Sequence, residues 1–326
     1  MINTSPVALF VFNRPDLTQR VLDEICVYGP PRIYLCSDQG RTTEERVIVS
    51  ELRQMVETKV PDHIELVKLY ADENVGVLGN LGRNMIKVLS TEDRCIFLED
   101  DNLPSQDFFR YCDMMLDRFA KEEDVLWICG TNYLDGFPPN YSFDVAFSKH
   151  HFPCGFATWS HKFLYDYKID PYDNPLSWQR FRSSFGSWSL WAQDYVANKK
   201  TNYLLKHAPQ HCSWDRQMQF TVRGQGRVGV IPRYNLIENI GVDERSTHGG
   251  VSTQIKMTEK FCSTRRNFMP VEISVPHQVS IDREIERTWD RFFLLPLAER
   301  IAIFGALLVK IITFSDWFRP NFLKDK

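Results

Sequence analysis

The stretch Cys95-Ile96-Phe97-Leu98-Glu99-Asp100-Asp101 decides the fold of this chain of 326 residues. Its four apolar residues are typical of a strand covered on both faces, and three consecutive carboxylates follow them. Like charges so close together repel and raise one another's pKa. One interpretation is an acidic turn exposed to solvent. The buried strand in front of it favours a second interpretation, a site that needs a cation.

Strand-like and helix-like segments alternate upstream of this stretch. Strands are predicted at 7–12, 32–36 and 64–69, and helices at 17–28 and 43–58, with a further helix that follows a glycine-rich stretch and runs through Leu89. The run 7–12 is continuously apolar, whereas 64–69 alternates and is expected nearer an edge. This spacing predicts an α/β fold, a Rossmann-like and mostly parallel sheet with helices on both faces.

Polar residues follow three of the predicted strands. Asn13-Arg14, Ser37-Asp38 and the acidic triplet Glu99-Asp100-Asp101 all stand where a strand ends. Parallel α/β sheets bind ligands at the carboxyl ends of their strands. We therefore expect these residues to form one site.

The composition of the sequence changes near residue 126, where aromatic residues become frequent. We predict a nucleotide-sugar-binding half at 1–125, an aromatic-rich acceptor-binding half at 126–260 and a C-terminal tail at 261–326. Most of the aromatic residues are expected in the core. Trp159, and after it Trp188, are the candidates for stacking on an acceptor sugar.

Composition excludes several classes of protein. The net charge of −3 argues against general nucleic-acid binding, which needs a basic face. The eight cysteines form no Cys-x-x-Cys pair, so free thiols in a reducing setting are expected rather than a zinc site. The N-terminal sequence lacks the features of a signal peptide, which favours a cytoplasmic location.

The acidic triplet suits a divalent metal. Mg²⁺ and Mn²⁺ favour oxygen ligands, take one or two of them from the protein, and complete their shell with phosphate oxygens and water. Such a cation relieves the repulsion within the triplet and offsets the charge on a leaving diphosphate. A helix is expected to follow, with Ser105 at its N-cap.

These residues resemble glycosyltransferases of the GT-A fold, the nucleotide-diphospho-sugar transferases. Residues 7–15 resemble their first strand and turn, and 95–101 resemble their Asp-x-Asp strand end. More narrowly, 99–109 are similar to the animal Golgi N-acetylglucosaminyltransferases that initiate complex N-glycans. The likeness continues in order through 155–159, 213–218 and 231–249, so it covers roughly residues 6 to 250.

The resemblance implies roles for individual residues. Asp101 would be the direct metal ligand. Glu99 and Asp100 would contact the ribose and base, Asp38 would bind the uracil, and Arg14 would lie beside the nucleotide. Asp215 would be the base that deprotonates the acceptor hydroxyl. The family's motif has two aspartates here, and Arg216 stands in place of the second. An alternative for Asp215 is the N-cap of a helix that starts at Arg216.

Four further residues are candidates with open alternatives. Arg83 and Asn84 end the glycine-punctuated stretch and are candidates for nucleotide-sugar binding, although Asn84 also fits a plain helix face. His248 could complete the metal shell or contact the diphosphate, and Arg245 could neutralise phosphate. Both also fit an exposed loop.

The C-terminal tail contains an apolar run at 301–314, which as a helix spans roughly 21 Å. This length is too short to cross a bilayer, but tryptophans and basic residues flank the run. The pattern favours an amphipathic helix on the inner membrane surface. The alternative is a helix docked on the enzyme core or on a partner.

Together these patterns predict a metal-dependent glycosyltransferase on the cytoplasmic face of the membrane. It would use Mn²⁺ or Mg²⁺ and transfer a sugar from a nucleotide-diphosphate donor, a UDP-sugar, to a glycan or lipid-linked glycan. A single base would invert the anomeric centre. The alternatives are a sugar-nucleotide pyrophosphorylase, which normally has a glycine-rich basic loop where Asn13-Arg14-Pro15-Asp16 stands, and a non-enzymatic membrane-associated binding module.

Overall fold

A computed structural model describes residues 4–241, 261–262, 264–302 and 304–305. The strands are β1 Val7–Val11, β2 Arg32–Ser37, β3 Glu65–Tyr70, β4 Arg94–Glu99, β5 Asn102–Pro104, β6 Val125–Cys129, β7 Val145–Ser148, β8 Phe156–Trp159, β9 Val228–Pro232 and β10 Ile237–Asn239. The helices are α1 Pro15–Tyr28, α2 Thr43–Lys59, α3 Arg83–Leu89, α4 Gln106–Arg118, α5 Ser160–Asp166, α6 Pro175–Ser183, α7 Trp188–His207, α8 Trp214–Gln225 and α9 Arg283–Phe293. A π-helical turn, Leu78–Gly82, leads into α3.

Eight strands form one mixed sheet in the order β3-β2-β1-β4-β8-β6-β9-β7. Strands β3, β2, β1 and β4 are parallel to one another, and β8 is antiparallel to both β4 and β6. Strand β9 is parallel to β6, and β7 is antiparallel to β9. The sheet is therefore mostly parallel, as predicted. A separate antiparallel pair, β5 with β10, lies beyond the end of β4.

The first half of the chain folds as its hydrophobic pattern predicts. Every residue of β1 is buried because helices cover both faces of the sheet, whereas β3 is half-buried and forms the edge. Alternate residues of a strand point to opposite faces, so Val7 and Leu9 join one core cluster while Ala8 and Phe10 join the other. Helix α1 begins at Pro15, which needs no backbone donor at that position.

The second half continues the sheet, whereas the sequence predicted only packing against it. Strands β6 to β9 provide the other half of the sheet, so the predicted boundary at residue 125 falls inside β6. Burial explains the aromatic density, because these strands are covered on both faces as well.

The beginning of the predicted tail is docked on the sheet. Helix α9 buries Ile285 and Trp289 in a cluster with Phe152 and Ile231. Helix α9 lies within the predicted tail at 261–326, but its buried face is part of the core and is not separate from it. Of the apolar run 301–314, residues 303 and 306–314 lie outside the described residues. In the described part of the chain, no helix combines the length and the apolarity needed to cross a bilayer.

Candidate active site

The ends of β1, β2 and β4 lie side by side at one edge of the sheet, and Arg14 contacts the acidic triplet there. Strand β1 lies between β2 and β4 and is parallel to both. Arg14, at the N-cap position of α1, therefore reaches the end of β4. Its guanidinium pairs with the Asp100 carboxylate, and its Nη2 also lies 3.0 Å from Oδ2 of Asp101. Both carboxylates are thus held by one half-buried cation.

Asp100 is the buried member of the acidic triplet. Burial raises the pKa of its carboxyl to about 6, although the ion pair with Arg14 opposes the shift. Asp101 is more open, and its Oδ1 accepts a hydrogen bond of 2.5 Å from the Asn102 amide. Arg14 therefore contacts both carboxylates, and Asp101 is the more exposed of the two.

The charge of Glu99 is only partly compensated, by the nearby Arg14. Within the described residues, no cation pairs with its carboxylate. Burial and the charges of Asp101 and Asp100 raise the pKa of Glu99 well above its usual range. A carboxyl in this environment binds either a proton or a cation. The donor set of Glu99 and Asp101 therefore fits a divalent ion with oxygen ligands.

Asp215 approaches the triplet although 113 intervening residues separate it from Asp101 in the sequence. An aromatic row carries it there: the Phe97 ring of β4 stacks on Phe156 of β8 at 5.0 Å, and Phe156 stacks on Trp214 at 5.1 Å. Trp214 begins α8, so Asp215 is fixed in the first turn of that helix. Its charge is close enough to contribute to the raised pKa of Glu99.

The alternative interpretation of Asp215 as a helix cap is wrong. Helix α8 starts two residues earlier than predicted, at Trp214, and Ser213 occupies the N-cap position. One carboxylate oxygen of Asp215, Oδ1, is buried and has no hydrogen-bond partner in the described part of the chain. Ser105 does occupy the N-cap position of α4, as predicted, but its side chain makes no capping hydrogen bond.

Asp38 holds the loop that precedes the π-helical turn. Its Oδ1 accepts from the backbone amides of Gln39 and Val75 at 2.8 and 2.9 Å. Its Oδ2 accepts from the Gly76 amide at 3.0 Å and from the Asn74 side chain at 3.1 Å. A uracil bound by Asp38 would have to displace one of these donors, so the predicted role remains a prediction.

The two candidates at the start of α3 differ in burial. Asn84 is buried and donates to Oδ1 of Asn80 at 3.1 Å. Asn80 in turn donates to the backbone carbonyls of Val11 and Cys36 at 3.4 and 3.3 Å, which ties the π-helical turn to β1 and β2. Arg83 is exposed. Of the two, Arg83 is therefore the one available to a ligand without rearrangement.

The segment that follows β10 lies against the triplet. The Ile240 amide donates to the Asp101 carbonyl at 2.9 Å. At Gly241, a Cβ would lie 2.3 Å from Oδ2 of Asp101, so only glycine fits there. Arg245 and His248 follow in sequence, but both lie outside the described residues.

The prediction that Trp159 binds the acceptor is wrong. Its side chain is 3% exposed in the core, and its indole nitrogen donates to the Leu116 carbonyl at 3.0 Å. A sugar cannot stack on a ring that is enclosed in this way. Trp188 is 67% exposed at the start of α7, and its role stays a prediction.

Sequence reasoning missed two residues near the site, Cys154 and Tyr167. Burial and the charges of Glu99 and Asp101 raise the pKa of the Cys154 thiol well above its usual value, which places this residue beside the triplet. In the sequence, Cys154 could have been recognised because it directly precedes the 155–159 motif. Tyr167, at the end of α5, has no such signal because only the packing of α5 brings it near Asp215.

A second acidic group lies elsewhere in the fold. Ligand atoms of His150, Glu286 and Asp290 lie within 4.8 Å of one another, and residues of these types could hold a metal ion. His150 follows β7, and the two carboxylates belong to α9. Nε2 of His150 lies 2.9 Å from Oδ1 of Asp290.

Hydrogen bonds determine the protonation of His150. Nη2 of Arg223 lies 3.4 Å from Nδ1 of the ring, and a guanidinium can only donate. Nδ1 is therefore the acceptor, and Nε2 carries the proton that it donates to Asp290. Glu286 accepts from the Ser148 hydroxyl at 2.6 Å. This arrangement, which we call the helix-anchoring cluster (His150, Arg223, Glu286 and Asp290), fits a hydrogen-bonded network better than a metal site.

Comparisons with known proteins identify no family. No family model matches the chain, and no curated protein matches it. Among solved structures, HddC from Yersinia pseudotuberculosis is similar at a TM-score of 0.31 and 8% identity, over 48% of this chain and 77% of that one. A UDP-glucose pyrophosphorylase complexed with UDP-glucose is similar at a TM-score of 0.34 and 9% identity, over 78% of this chain and 99% of that one. Similarity this low carries no functional argument.

Proposed function

We propose that this chain is a metal-dependent glycosyltransferase that uses a nucleotide-diphosphate sugar, with a UDP-sugar as the donor. One observation carries the proposal. Glu99, at the end of β4, forms no ion pair among the described residues, Asp101 close to it is held by Arg14, and the charge of a third carboxylate, Asp215 of α8, acts on Glu99. A cation site next to a separate carboxylate provides the two functions that sugar transfer requires, stabilisation of a leaving diphosphate and removal of a proton.

Each residue of the strand-end site, which we define as Arg14, the acidic triplet and Asp215, has a proposed role. Asp101 and Glu99 would hold Mn²⁺ or Mg²⁺, and the ion would neutralise charge on the departing diphosphate. Asp100 orients Arg14, whose guanidinium would lie beside the nucleotide phosphates. Arg83 would add contacts to the donor, as would Arg245 and His248, which lie outside the described residues.

The proposed step is a direct displacement. The Asp215 carboxylate accepts the proton of an acceptor hydroxyl, and the hydroxyl oxygen forms a bond to the anomeric carbon. The bond from that carbon to the diphosphate oxygen breaks, and its electron pair leaves with the diphosphate. Because one base acts from one side, the product would have the inverted configuration. Such a base typically contributes roughly 10²- to 10⁴-fold in rate.

Calorimetry with UDP and Mn²⁺, followed by a donor-hydrolysis screen across UDP-sugars, tests the proposal. We expect UDP binding that depends on the metal, and its loss in Asp101→Ala. The matched control is Asp117→Ala, which removes a half-exposed carboxylate from α4. Equal metal-dependent binding by Asp101→Ala and the wild type would contradict the metal assignment.

The same screen separates the rival activities. A pyrophosphorylase would form a UDP-sugar from UTP and a sugar 1-phosphate, with release of pyrophosphate. A non-enzymatic binding module would show no metal-dependent binding of UDP. The absence of pyrophosphate release, together with hydrolysis of a UDP-sugar, is the result that we expect.

We also propose that the C-terminal region binds an anionic membrane surface, where a lipid-linked glycan acceptor would be found. Leu297 and Ile301 are 63% and 61% exposed. The Phe304 ring contacts the exposed Trp188 ring at 6.2 Å, which joins this region to α7. Exposed apolar side chains near basic residues, among them Arg291, suit an interfacial helix.

Sedimentation with phosphatidylglycerol vesicles tests this second proposal. We expect the wild type to sediment with the vesicles and the double variant Leu297→Glu/Ile301→Glu to remain in solution. Val271→Glu is the control, because Val271 is 85% exposed but lies outside this region of the sequence. Failure of the wild type to bind the vesicles would overturn the membrane assignment without affecting the enzymatic one.

A further inference from the structure

Helix α7 buries polar side chains and leaves aromatic ones in contact with solvent. Three of its six buried residues are polar, namely Asp194, Asn198 and Thr201. On its outer face, Trp188 is 67% exposed and Tyr203 is 49% exposed. A surface helix normally places its apolar stripe against the core and its polar residues outside. The outer face of α7 is therefore suited to an apolar or interfacial partner.

Hydrogen bonds fix which face of α7 is turned inward. A carboxylate oxygen of Asp194 accepts from the Gln219 side chain of α8 at 2.7 Å. The Asn198 side chain accepts from the Tyr172 hydroxyl at 3.0 Å. Rotation of α7 would break these bonds and leave buried polar groups without partners, which is costly. The aromatic residues therefore remain on the outer face.

The aromatic residues of that face form a continuous stripe. Trp188, Trp191 and Tyr195 follow one another at helical spacing, with ring centroids 4.4 and 5.3 Å apart. We call these three residues the aromatic stripe. Trp191 and Tyr195 are half-buried, and Trp178 of α6 packs 5.5 Å from Tyr195 on one side. At its other end the stripe continues to the Phe304 ring, 6.2 Å from that of Trp188.

The surface around the stripe is positively charged. From the start of α6 to the end of α7 there is one acidic residue, the buried Asp194, but five basic ones: Arg180, Arg182, Lys199, Lys200 and Lys206. The Arg182 guanidinium lies 5.9 Å from the centre of the Trp191 ring, and the Lys199 ammonium lies 4.2 Å from that of Trp178. Lys206 pairs with Asp173 at 3.7 Å. The whole chain has a net charge of −3, so this region concentrates positive charge.

Two observations favour a lipid surface as the partner. Tryptophan and tyrosine rings are suited to the headgroup level of a bilayer, and neighbouring lysines and arginines are attracted to anionic lipids. The stripe is also continuous, through Phe304, with the C-terminal region that exposes Leu297 and Ile301. Charge and continuity therefore point to the same partner.

We propose that the aromatic stripe, together with Arg182, Lys199 and Lys200, docks on an anionic phospholipid surface, with the Trp188 ring inserted among the headgroups. The inference rests on the membrane association proposed above and adds a face of the folded domain to it. Because Asp194 is hydrogen-bonded to α8, which carries Asp215, docking of α7 would also orient the strand-end site relative to the bilayer. Lipid would then cover the ring that the sequence assigned to an acceptor sugar.

Sedimentation with phosphatidylglycerol vesicles and with phosphatidylcholine vesicles tests the docking surface. The variant Arg182→Gln/Lys200→Gln removes two exposed charges. We expect it to weaken binding to phosphatidylglycerol roughly 30-fold, since each basic residue near an anionic surface contributes about 5-fold, and to change binding to phosphatidylcholine little. Trp188→Ala should weaken binding to phosphatidylglycerol roughly 10-fold through lost apolar contact.

Two matched controls come from other surfaces of the protein. Phe268→Ala removes an aromatic ring that is 77% exposed, and Arg20→Gln/Lys121→Gln removes two exposed charges from the first half of the chain. Both should bind vesicles as the wild type does. All four variants change exposed positions, so their melting temperatures should stay close to that of the wild type.

Insertion of the Trp188 ring has a spectroscopic readout. Bromine-labelled phosphatidylglycerol should quench part of the tryptophan emission of the wild type. In Trp188→Phe, which keeps a ring but lacks the indole, the quenched fraction should be smaller while the protein still binds. An unchanged quenched fraction in Trp188→Phe would overturn the insertion of this ring.

The outcomes separate this inference from the proposals above. If the wild type binds phosphatidylglycerol and both α7 variants bind equally well, the α7 assignment falls, while the C-terminal membrane proposal stands. If the wild type binds soluble dextran sulfate but not the vesicles, the surface recognises a polyanion, which overturns both membrane assignments. Neither result affects metal-dependent binding of UDP, which tests the proposed enzymatic function separately.

Discussion

The strand-end site and the helix-anchoring cluster both bring carboxylates to an arginine, but the arginine has a different role in each. In the helix-anchoring cluster, Arg223 donates to His150, which donates to Asp290, and Glu286 accepts from Ser148, so the hydrogen bonds join α9 to the sheet. In the strand-end site, Arg14 pairs with Asp100 and Asp101, whereas Glu99 and one oxygen of Asp215 remain without partners among the described residues.

The difference shows that hydrogen bonding of the polar groups distinguishes a structural network from a candidate ligand site. Natural folds pair almost all of their buried polar groups. A network that satisfies its members stabilises the fold, and the helix-anchoring cluster does this for α9. Groups left unsatisfied cost stability, and such a cost concentrates where a ligand later provides the missing interactions. Residue types and the distances between ligand atoms would also allow a metal at the helix-anchoring cluster, whereas charge compensation and hydrogen bonding favour the strand-end site.

The largest effect is expected at the strand-end site, where substitution of Asp215 should lower kcat. Asp215→Asn keeps the shape of the side chain but cannot accept a proton, so kcat for transfer or donor hydrolysis should fall roughly 10²- to 10⁴-fold. Binding of UDP with Mn²⁺ should change little. Asp173→Asn, at a side chain that is 81% exposed, is the control. Wild-type turnover by Asp215→Asn would mean that another group is the base.

The next effect is on the stability of the helix-anchoring cluster. Asp290→Ala removes the acceptor of the His150 ring and leaves Arg223 with less compensating charge, so the free energy of unfolding should fall by about 3 kcal/mol. Denaturant titration measures this loss. Glu299→Ala, at an exposed position of the same region, should have almost no effect. If addition of a divalent metal stabilised the wild type but not Asp290→Ala, the cluster would be a metal site after all.

A smaller effect should appear in the pH dependence of stability. Folding raises the pKa of Asp100 to about 6, so the folded state takes up this proton at a higher pH than the unfolded chain does. As the pH falls from about 7 to 4, the wild type should therefore gain unfolding free energy relative to Asp100→Asn, by about 2 to 3 kcal/mol at most. Urea titrations of both proteins at each pH measure the difference. A difference that does not vary with pH would contradict the burial of a charged Asp100.

The smallest effect concerns Arg83, which is exposed at the start of α3. Arg83→Ala should leave stability within about 0.5 kcal/mol of the wild type, as is usual for an exposed position. If Arg83 contacts the donor diphosphate, the Kd for UDP with Mn²⁺ should rise about 5-fold. Lys87→Ala, one turn further along α3 and also exposed, is the control. Equal affinities in the two variants would remove Arg83 from the proposed site.

Local patterns predicted the first half of the fold well. Each strand from β1 to β4 lies within one or two residues of its predicted limits, because apolar runs of strand length between helix-like segments have few other solutions. The edge position of β3 followed from its alternation. In the second half, β6 to β9 were not predicted, since their order in the sheet depends on contacts between residues distant in sequence. The same dependence explains the error at Trp159, because periodicity cannot tell an aromatic core residue from an aromatic ligand platform.

By itself the sequence determined that polar residues end three neighbouring parallel strands, and therefore that Arg14, Asp38 and the acidic triplet lie at one edge of the sheet. This follows from chain direction alone, since parallel strands share their carboxyl edge. The tertiary structure decided which groups are satisfied there. Arg14 is paired with Asp100 and Asp101, Asp38 is fully hydrogen-bonded, and the Tyr167 hydroxyl and Oδ1 of Asp215 lack partners among the described residues. Hydrogen bonding and burial depend on distances between atoms from separate elements, and only the packing of those elements sets them.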